Sequence, residues 1–191
     1  PLDEVVEDLN WARAHYKYIE KVFLADGDAL VLKNESIVKL MDTIGELFPE
    51  CKKISIYGSP QDVLRKTSEE MRELKEKGLN MIYIGGESGS NKILKAIKKG
   101  VTVDQLIEAV RKIEDAGIEA SVTFISGIGG RDNWKEHAME TGKAISRMSP
   151  SYVGLLTLMV EAGTELYDDI RSGVFTLLTP EEVMDETYLL L

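Results

Sequence analysis

The feature that most constrains this chain is an alternation of two patterns. Short apolar runs with strand character are separated by stretches of amphipathic helical periodicity. The runs start near residues 21, 53, 80, 119 and 151, so each strand and its following helix take up about 30 to 40 residues, the length of one βα unit. Apolar strands alternating with amphipathic helices predict a parallel sheet joined by right-handed crossovers. The helical stretches are explicit. Val5, Leu9, Ala12, Tyr16 and Ile19 form one stripe, and Ile37, Leu40, Met41, Ile44 and Leu47 form another. Thr67 with Glu70, and Thr102 with Gln105, have the spacing of capping boxes. Thr179-Pro180 followed by two glutamates marks a further helix start. Another helix is expected from Trp134 to Met148, stopped by Ser149-Pro150.

The leading helix should itself follow a strand, and the chain begins inside that helix. The expectation is a partial six-unit TIM-type α/β barrel whose first strand precedes Pro1. No linker or low-complexity segment divides residues 1–191, which predicts one N-terminally truncated domain.

Composition narrows the function classes. The 191 residues are 43% hydrophobic and 29% charged, with a net charge of −10. Phosphate backbones demand a basic footprint, so no nucleic-acid partner is expected. No apolar run reaches the roughly 20 residues of a membrane span. The acidic, helical start is unlike a secretory leader, so the expected location is the cytoplasm. One cysteine, Cys51, excludes an internal disulfide and a cysteine-only metal site.

Parallel βα folds keep function at the C-terminal ends of their strands. Here those ends are Asp26-Gly27-Asp28, Tyr57-Gly58-Ser59, Gly85-Gly-Glu-Ser-Gly-Ser90, Ser126-Gly-Ile-Gly-Gly-Arg-Asp132 and Glu161-Ala-Gly-Thr164. Each joins glycine to polar groups, whereas the strand starts are plain. Glycines let backbone approach a ligand, and carboxylates accept from hydroxyls or ammonium groups. Each glycine singly also fits a tight turn, and Asp26 and Asp28 fit a turn cap or a divalent ion as well as an organic ligand. The Gly127–Gly130 stretch lacks the lysine and hydroxyl of a P-loop. Glu87, a carboxylate among glycines at a strand end, reads as a ligand group. His15 and His137 are expected on helix surfaces, Trp11 and Trp134 in helix packing or on the surface, and Cys51 on the opposite rim.

Five segments, in order, carry a family resemblance. They are Val22-Phe-Leu-Ala-Asp-Gly-Asp-Ala29, Tyr83-Ile-Gly-Gly-Glu-Ser-Gly-Ser90, Gly100-Val-Thr102, Val122-Thr-Phe-Ile-Ser-Gly-Ile-Gly-Gly130 and Leu156-Thr-Leu-Met-Val-Glu-Ala-Gly-Thr164. Together they resemble radical S-adenosylmethionine (SAM) enzymes, close to Fe–S oxidoreductases related to oxygen-independent coproporphyrinogen oxidase and biotin synthase. The resemblance implies SAM as cofactor. It places Asp26, Gly27 and Asp28 at the methionine amine, and Glu87 and Ser88 at the ribose hydroxyls. It places Ile125, Gly127 and Ile128 against adenine, with Leu158, Met159 and Val160 lining the adenine side. It further implies a 4Fe–4S cluster, an electron donor, and a 5′-deoxyadenosyl radical that takes a hydrogen atom from a substrate of unknown identity. Tyr57, Arg131 and Glu161 are candidates for substrate contact by position.

This sequence departs from the family in one respect. The Cys-x3-Cys-x2-Cys segment that holds the cluster is absent, and three thiolates are needed. The expectation is that the segment precedes Pro1 in a longer parent. Two other readings stand beside this one. A βα-barrel lyase would need a lysine or metal at a strand end, and no lysine occurs in the five end segments. A non-catalytic ligand-binding barrel would need neither. By itself the chain should bind no cluster: incubation with iron and sulfide should leave it without the cluster's visible absorption, and the appearance of that band would refute this.

Overall fold

A computed structural model describes residues 2–25 and 27–191. In chain order the elements are α1 (Leu2–His15), β1 (Lys21–Leu24), a 3-10 turn (Ala29–Val31), α2 (Asn34–Leu47), β2 (Lys53–Gly58), α3 (Pro60–Arg65), α4 (Ser68–Glu76), β3 (Leu79–Glu87), α5 (Asn91–Ala96), α6 (Val103–Asp115), β4 (Glu119–Ser126), α7 (Gly130–Met148), β5 (Tyr152–Thr157), α8 (Glu165–Ser172) and α9 (Pro180–Leu190). This is an α/β fold in which five parallel strands alternate with helices. The strands form one sheet whose spatial order is chain order, β1-β2-β3-β4-β5. Consecutive parallel neighbours are what helical crossovers between adjacent strands produce.

The chain divides into two compact units. One comprises Pro1–Ile84, Ala109–Ser121 and Pro150–Tyr152; the other comprises Gly85–Glu108, Val122–Ser149 and Val153–Leu191.

In the first unit, β1 pairs with β2 from Lys21↔Lys53 to Leu24↔Ile56, and β2 pairs with β3 as far as Gly58↔Ile84. The second ladder skips one residue: Ile54 faces Leu79, but Ser55 faces Met81. The side-chain oxygen of the skipped residue, Asn80, accepts from the Ile54 amide at 2.8 Å, so no ladder donor is orphaned there. One sheet face carries Ile56 and Ile82 at 0% exposure, and α2 and α4, which pack on each other, bury Ile37, Met41, Met71 and Leu74. The other face carries Phe23, Tyr57 and Tyr83, whose ring centroids lie 4.8 to 6.0 Å apart. Thr67 and Glu70 form the expected capping box of α4. The short helix α3 was not expected, although Ser59 caps it and Pro60 stands in its first turn.

β4 alternates strictly between half-exposed and buried residues, and in the second unit its Val122 and Phe124 are fully buried. The helix expected from Trp134 begins instead at Gly130 and runs for 19 residues. The unexpected α8 is capped by Thr164 and stopped by Gly173 in the left-handed conformation. The segment after β3 runs against the backbone of α7, and the Gly89 amide donates to Thr141 Oγ1 at 2.9 Å. A Cβ at Gly89 would lie 2.4 Å from both the Glu140 carbonyl oxygen and the Thr141 Cα. Backbone cannot swing aside as a side chain can. Gly89→Ala should therefore destabilise the chain by about 3 kcal/mol, read as a lower urea midpoint at unchanged slope.

Candidate functional site

In the first unit the polar strand ends are those of β1 and β2. Asp28 spends its carboxylate on backbone. Oδ1 accepts from the Leu30 amide at 3.2 Å, and Oδ2 accepts from the Ser59 amide at 2.8 Å. It thereby caps the 3-10 turn and ties it to the end of β2. Beside it, Asp62 takes hydrogen bonds from Ser59 Oγ and from Arg65 at 2.7 Å. Burial, and then the adjacent Asp62 carboxyl, push the Asp28 pKa up. Burial also works against charge on Asp62, but hydrogen bonds from Ser59 and Asp28, with Arg65 close by, leave its pKa below the ordinary value. Of the two, Asp28 therefore takes up a proton more readily than Asp62. Lys66 is buried, reaches the Leu32 carbonyl at 3.1 Å, and has its pKa lowered by that burial. Gly27 is exposed at φ +83, and Asp26 lies outside the described residues.

In the second unit, β3 ends on Gly85-Gly86-Glu87. Glu87 has φ +59, a left-handed conformation that is strained for a residue with a Cβ. Its Oε1 accepts from Lys99 Nζ at 2.8 Å, with side chains 20% and 23% exposed. The missing side chain at residue 85 makes this pair possible. A Cβ there would lie 2.4 Å from Glu87 Oε1 and 3.0 Å from Lys99 Nζ. Ser88 is fully buried; its hydroxyl meets His137 Nδ1 at 2.8 Å and accepts from the Ser90 amide at 3.0 Å. It has no surface left for a ligand hydroxyl.

His137 corrects the expectation of a surface histidine: it is 1% exposed. Burial drives its pKa down to about 4, opposed by a hydrogen bond to the Ile125 carbonyl. A carbonyl only accepts, so the ring proton goes there and Nδ1 accepts from Ser88. One neutral ring thus holds the ends of β3 and β4.

Ile125, Gly127, Ile128 and Leu158 are brought together. The Leu158 amide donates to the Ser126 carbonyl at 2.9 Å, the Ile128 amide to the Ile125 carbonyl at 3.3 Å, and a Cβ on Gly127 would sit 3.8 Å from the Leu158 Cβ. Val160 is half-buried, but Met159 is 81% exposed. Of the substrate-contact candidates, Tyr57 stands in the aromatic group, Glu161 is exposed, and Arg131 is paired with Glu182 at 3.0 Å.

Three side chains at the strand ends are not evident from the sequence. His137 belongs to a recognisable stripe, with Thr141, Ala144 and Met148 buried on the same helix face. Lys99 lies outside the strand-end segments and returns to Glu87 from beyond α5. Glu186 of α9 is 1% exposed, and its Oε2 accepts from the Gly127 amide at 2.7 Å.

Burial raises the Glu186 pKa to about 7, with the Gly127 amide pulling the other way. The two buried groups therefore act in opposite directions. The His137 contribution is intact above the unfolded pKa of about 6.5 and is lost as pH falls through about 4. The Glu186 contribution is intact below about 4.5 and is lost as pH rises through about 7. Glutamine mimics the neutral carboxyl at all pH values. Between pH 5 and pH 8 the stability of Glu186→Gln relative to the native chain should rise by about 2 kcal/mol. A difference that stays flat in urea titrations across that range would exclude this account.

Comparison with known proteins fits this arrangement. A model described as the radical SAM superfamily matches residues 1–141. An uncharacterized methyltransferase of Pyrococcus horikoshii is 27% identical over 169 residues, covering 87% of this chain and 35% of the relative. The heme chaperone HemW of Bacillus subtilis is 23% identical over 199 residues, covering 98% of this chain and 51% of the relative. The chain thus spans from about a third to a half of these relatives. Among solved structures, coproporphyrinogen III oxidase of Escherichia coli superposes with a TM-score of 0.72 at 14% identity, over 98% of this chain and 44% of that one. Methylornithine synthase gives 0.69 at 17% identity, over 100% of this chain and 52% of that one. These two likenesses concern the fold. The family match covers most of the chain, and the chain belongs to the radical SAM superfamily.

Proposed function

We propose that this chain is the SAM-binding core of an enzyme that forms a 5′-deoxyadenosyl radical and uses it to take a hydrogen atom from a substrate. The observation that carries this reading is the Glu87–Lys99 pair at the end of β3. SAM presents a carboxylate, an ammonium, a sulfonium and a ribose diol. A half-buried lysine answers the carboxylate, and a half-buried glutamate answers hydroxyls or ammonium. The strained backbone at Glu87 supports a binding role, since strain of this kind gathers at ligand sites.

Ile125, Ile128 and Leu158 supply the apolar surface that a flat base would rest on. Ser88 enters this reading as a positioning residue, because its hydroxyl serves His137. The assignment of the methionine amine to Asp26, Gly27 and Asp28 rests on family resemblance, with Asp28 able to offer only the lone pairs that its two backbone donors leave unused.

The cluster does not fit the residues of this chain. Three thiolates are needed, and the single cysteine, Cys51, is half-buried ahead of β2 with its thiol on the Lys53 carbonyl at 3.6 Å. Among the described residues no group of three or more His, Cys, Asp and Glu could hold a metal ion. The electron that would split the sulfonium therefore comes from outside these residues.

Binding can be tested without any cluster, using S-adenosylhomocysteine as the probe. Titration calorimetry should show saturable binding to the chain. Lys99→Ala and Glu87→Gln should each weaken it by about ten-fold, the scale of one charged hydrogen bond. Unchanged affinity in both variants would remove the pair from the site, and no binding by the native chain would remove the reading.

A further inference from the structure

We propose that Glu186 is a positioning residue for the glycine turn at the end of β4, holding that turn in its ligand-receiving shape from the distant helix α9. The inference rests on the function proposed above, in which the turn underlies adenine. Glu186 lies outside the residues that the family model matches.

The geometry is specific. β4 ends at Ser126, and Gly127 follows at φ +84, so its amide leaves the line of the strand. That amide finds its acceptor 59 residues later, in Glu186 Oε2 at 2.7 Å. The other carboxyl oxygen, Oε1, is buried without a hydrogen-bond partner. A carboxyl that served only packing would be better replaced by leucine, since a buried oxygen without a partner is costly. The acid makes sense at this position because the Gly127 amide would otherwise be the orphan.

Other contacts hold α9 and its approach in register with this turn. The Arg131 amide donates to the Thr176 carbonyl at 2.9 Å, and Arg131 Nη2 donates to Glu182 at 3.0 Å. Glu182 also closes the capping box with Thr179 that starts α9. The Phe175 ring fills the space over Gly130, where a Cβ would come within 2.9 Å of it. Near the other end of α9, the Leu190 carbonyl would lie 2.6 Å from a Cβ at Gly142 of α7. The helix is clamped along its length, and Glu186 is the point where the clamp reaches the turn.

The test uses the 191-residue chain with Glu186→Leu, which fills the volume and removes the acceptor, and Glu186→Gln, which keeps the acceptor. Amide hydrogen exchange at Gly127 and affinity for S-adenosylhomocysteine are both read. Glu186→Leu should speed Gly127 exchange and weaken the probe by about ten-fold. Glu186→Gln should restore both to within about three-fold of the native chain. Native affinity and native Gly127 exchange in Glu186→Leu would overturn the proposal. So would losses in Glu186→Gln as large as those in Glu186→Leu. If Glu186→Leu does not fold, the glutamine variant still decides: rapid Gly127 exchange in a folded Glu186→Gln would overturn the role. Absence of probe binding by the native chain would count against the proposed function, while the exchange comparison would still judge the positioning role.

Discussion

The second unit is organised around an imidazole whose pKa burial lowers to about 4, so that it is neutral at pH 7. His137 sits inside α7 and is satisfied on both sides, by the Ser88 hydroxyl and by the Ile125 carbonyl. Neutral histidine is well suited to this task because it offers one donor and one acceptor on a rigid ring. The ring fixes Ser88, Ser88 receives the Ser90 amide, and Ser90 in turn caps α5. On the other side the ring fixes the last turn of β4, on which the glycine segment depends. A lysine or glutamine at residue 137 could reach these partners but would not hold them at a set angle. The two rim segments of this unit are thus referred to a common buried group rather than to their own loops.

The first unit solves the same problem with acids. Asp28 and Asp62 share a partly buried setting in which charge is favoured on Asp62 over Asp28, and Ser59 links them. Their oxygens are spent largely on backbone and on Arg65. Carboxylates near the strand ends therefore divide into two kinds. Asp28 and Asp62 accept from backbone amides, Ser59 and Arg65, whereas Glu87 accepts from the Lys99 ammonium. Each unit also holds a lysine near its acids, Lys66 within the field of Asp62 and Asp28 in the first and Lys99 on Glu87 in the second.

Local signals were legible in the sequence and non-local ones were not. Strand positions followed from apolar runs, and the helix starts at Thr67, Thr102 and Thr179 followed from side chains that bond to backbone three residues away. The rim followed from glycines and polar residues that share a place in each βα unit. The misses have a common cause. His137 reads as a surface helix position from sequence, whereas the fold buries it in a stripe with Thr141, Ala144 and Met148. The partner of the Ser88 hydroxyl lies 49 residues away, beyond the reach of local patterns. Lys99 and Glu186 act on segments 12 and 59 residues distant. Only the fold brings such pairs together. The short helix α3 was missed for a different reason: Pro60 reads equally as a breaker and as a first-turn residue.

The backbone at Glu87 carries a cost that glycine would not. A left-handed conformation disfavours a residue with a Cβ by about 1 kcal/mol, so a glycine at residue 87 would relax the chain locally. The preceding two residues are already glycine, and a third would extend the run without any steric objection. Selection for thermal stability alone would accordingly erase this carboxylate early. Under the proposed function, persistence of the acid in sequences of the same design would mark chains that still bind, and its replacement by glycine would mark chains retained for their shape.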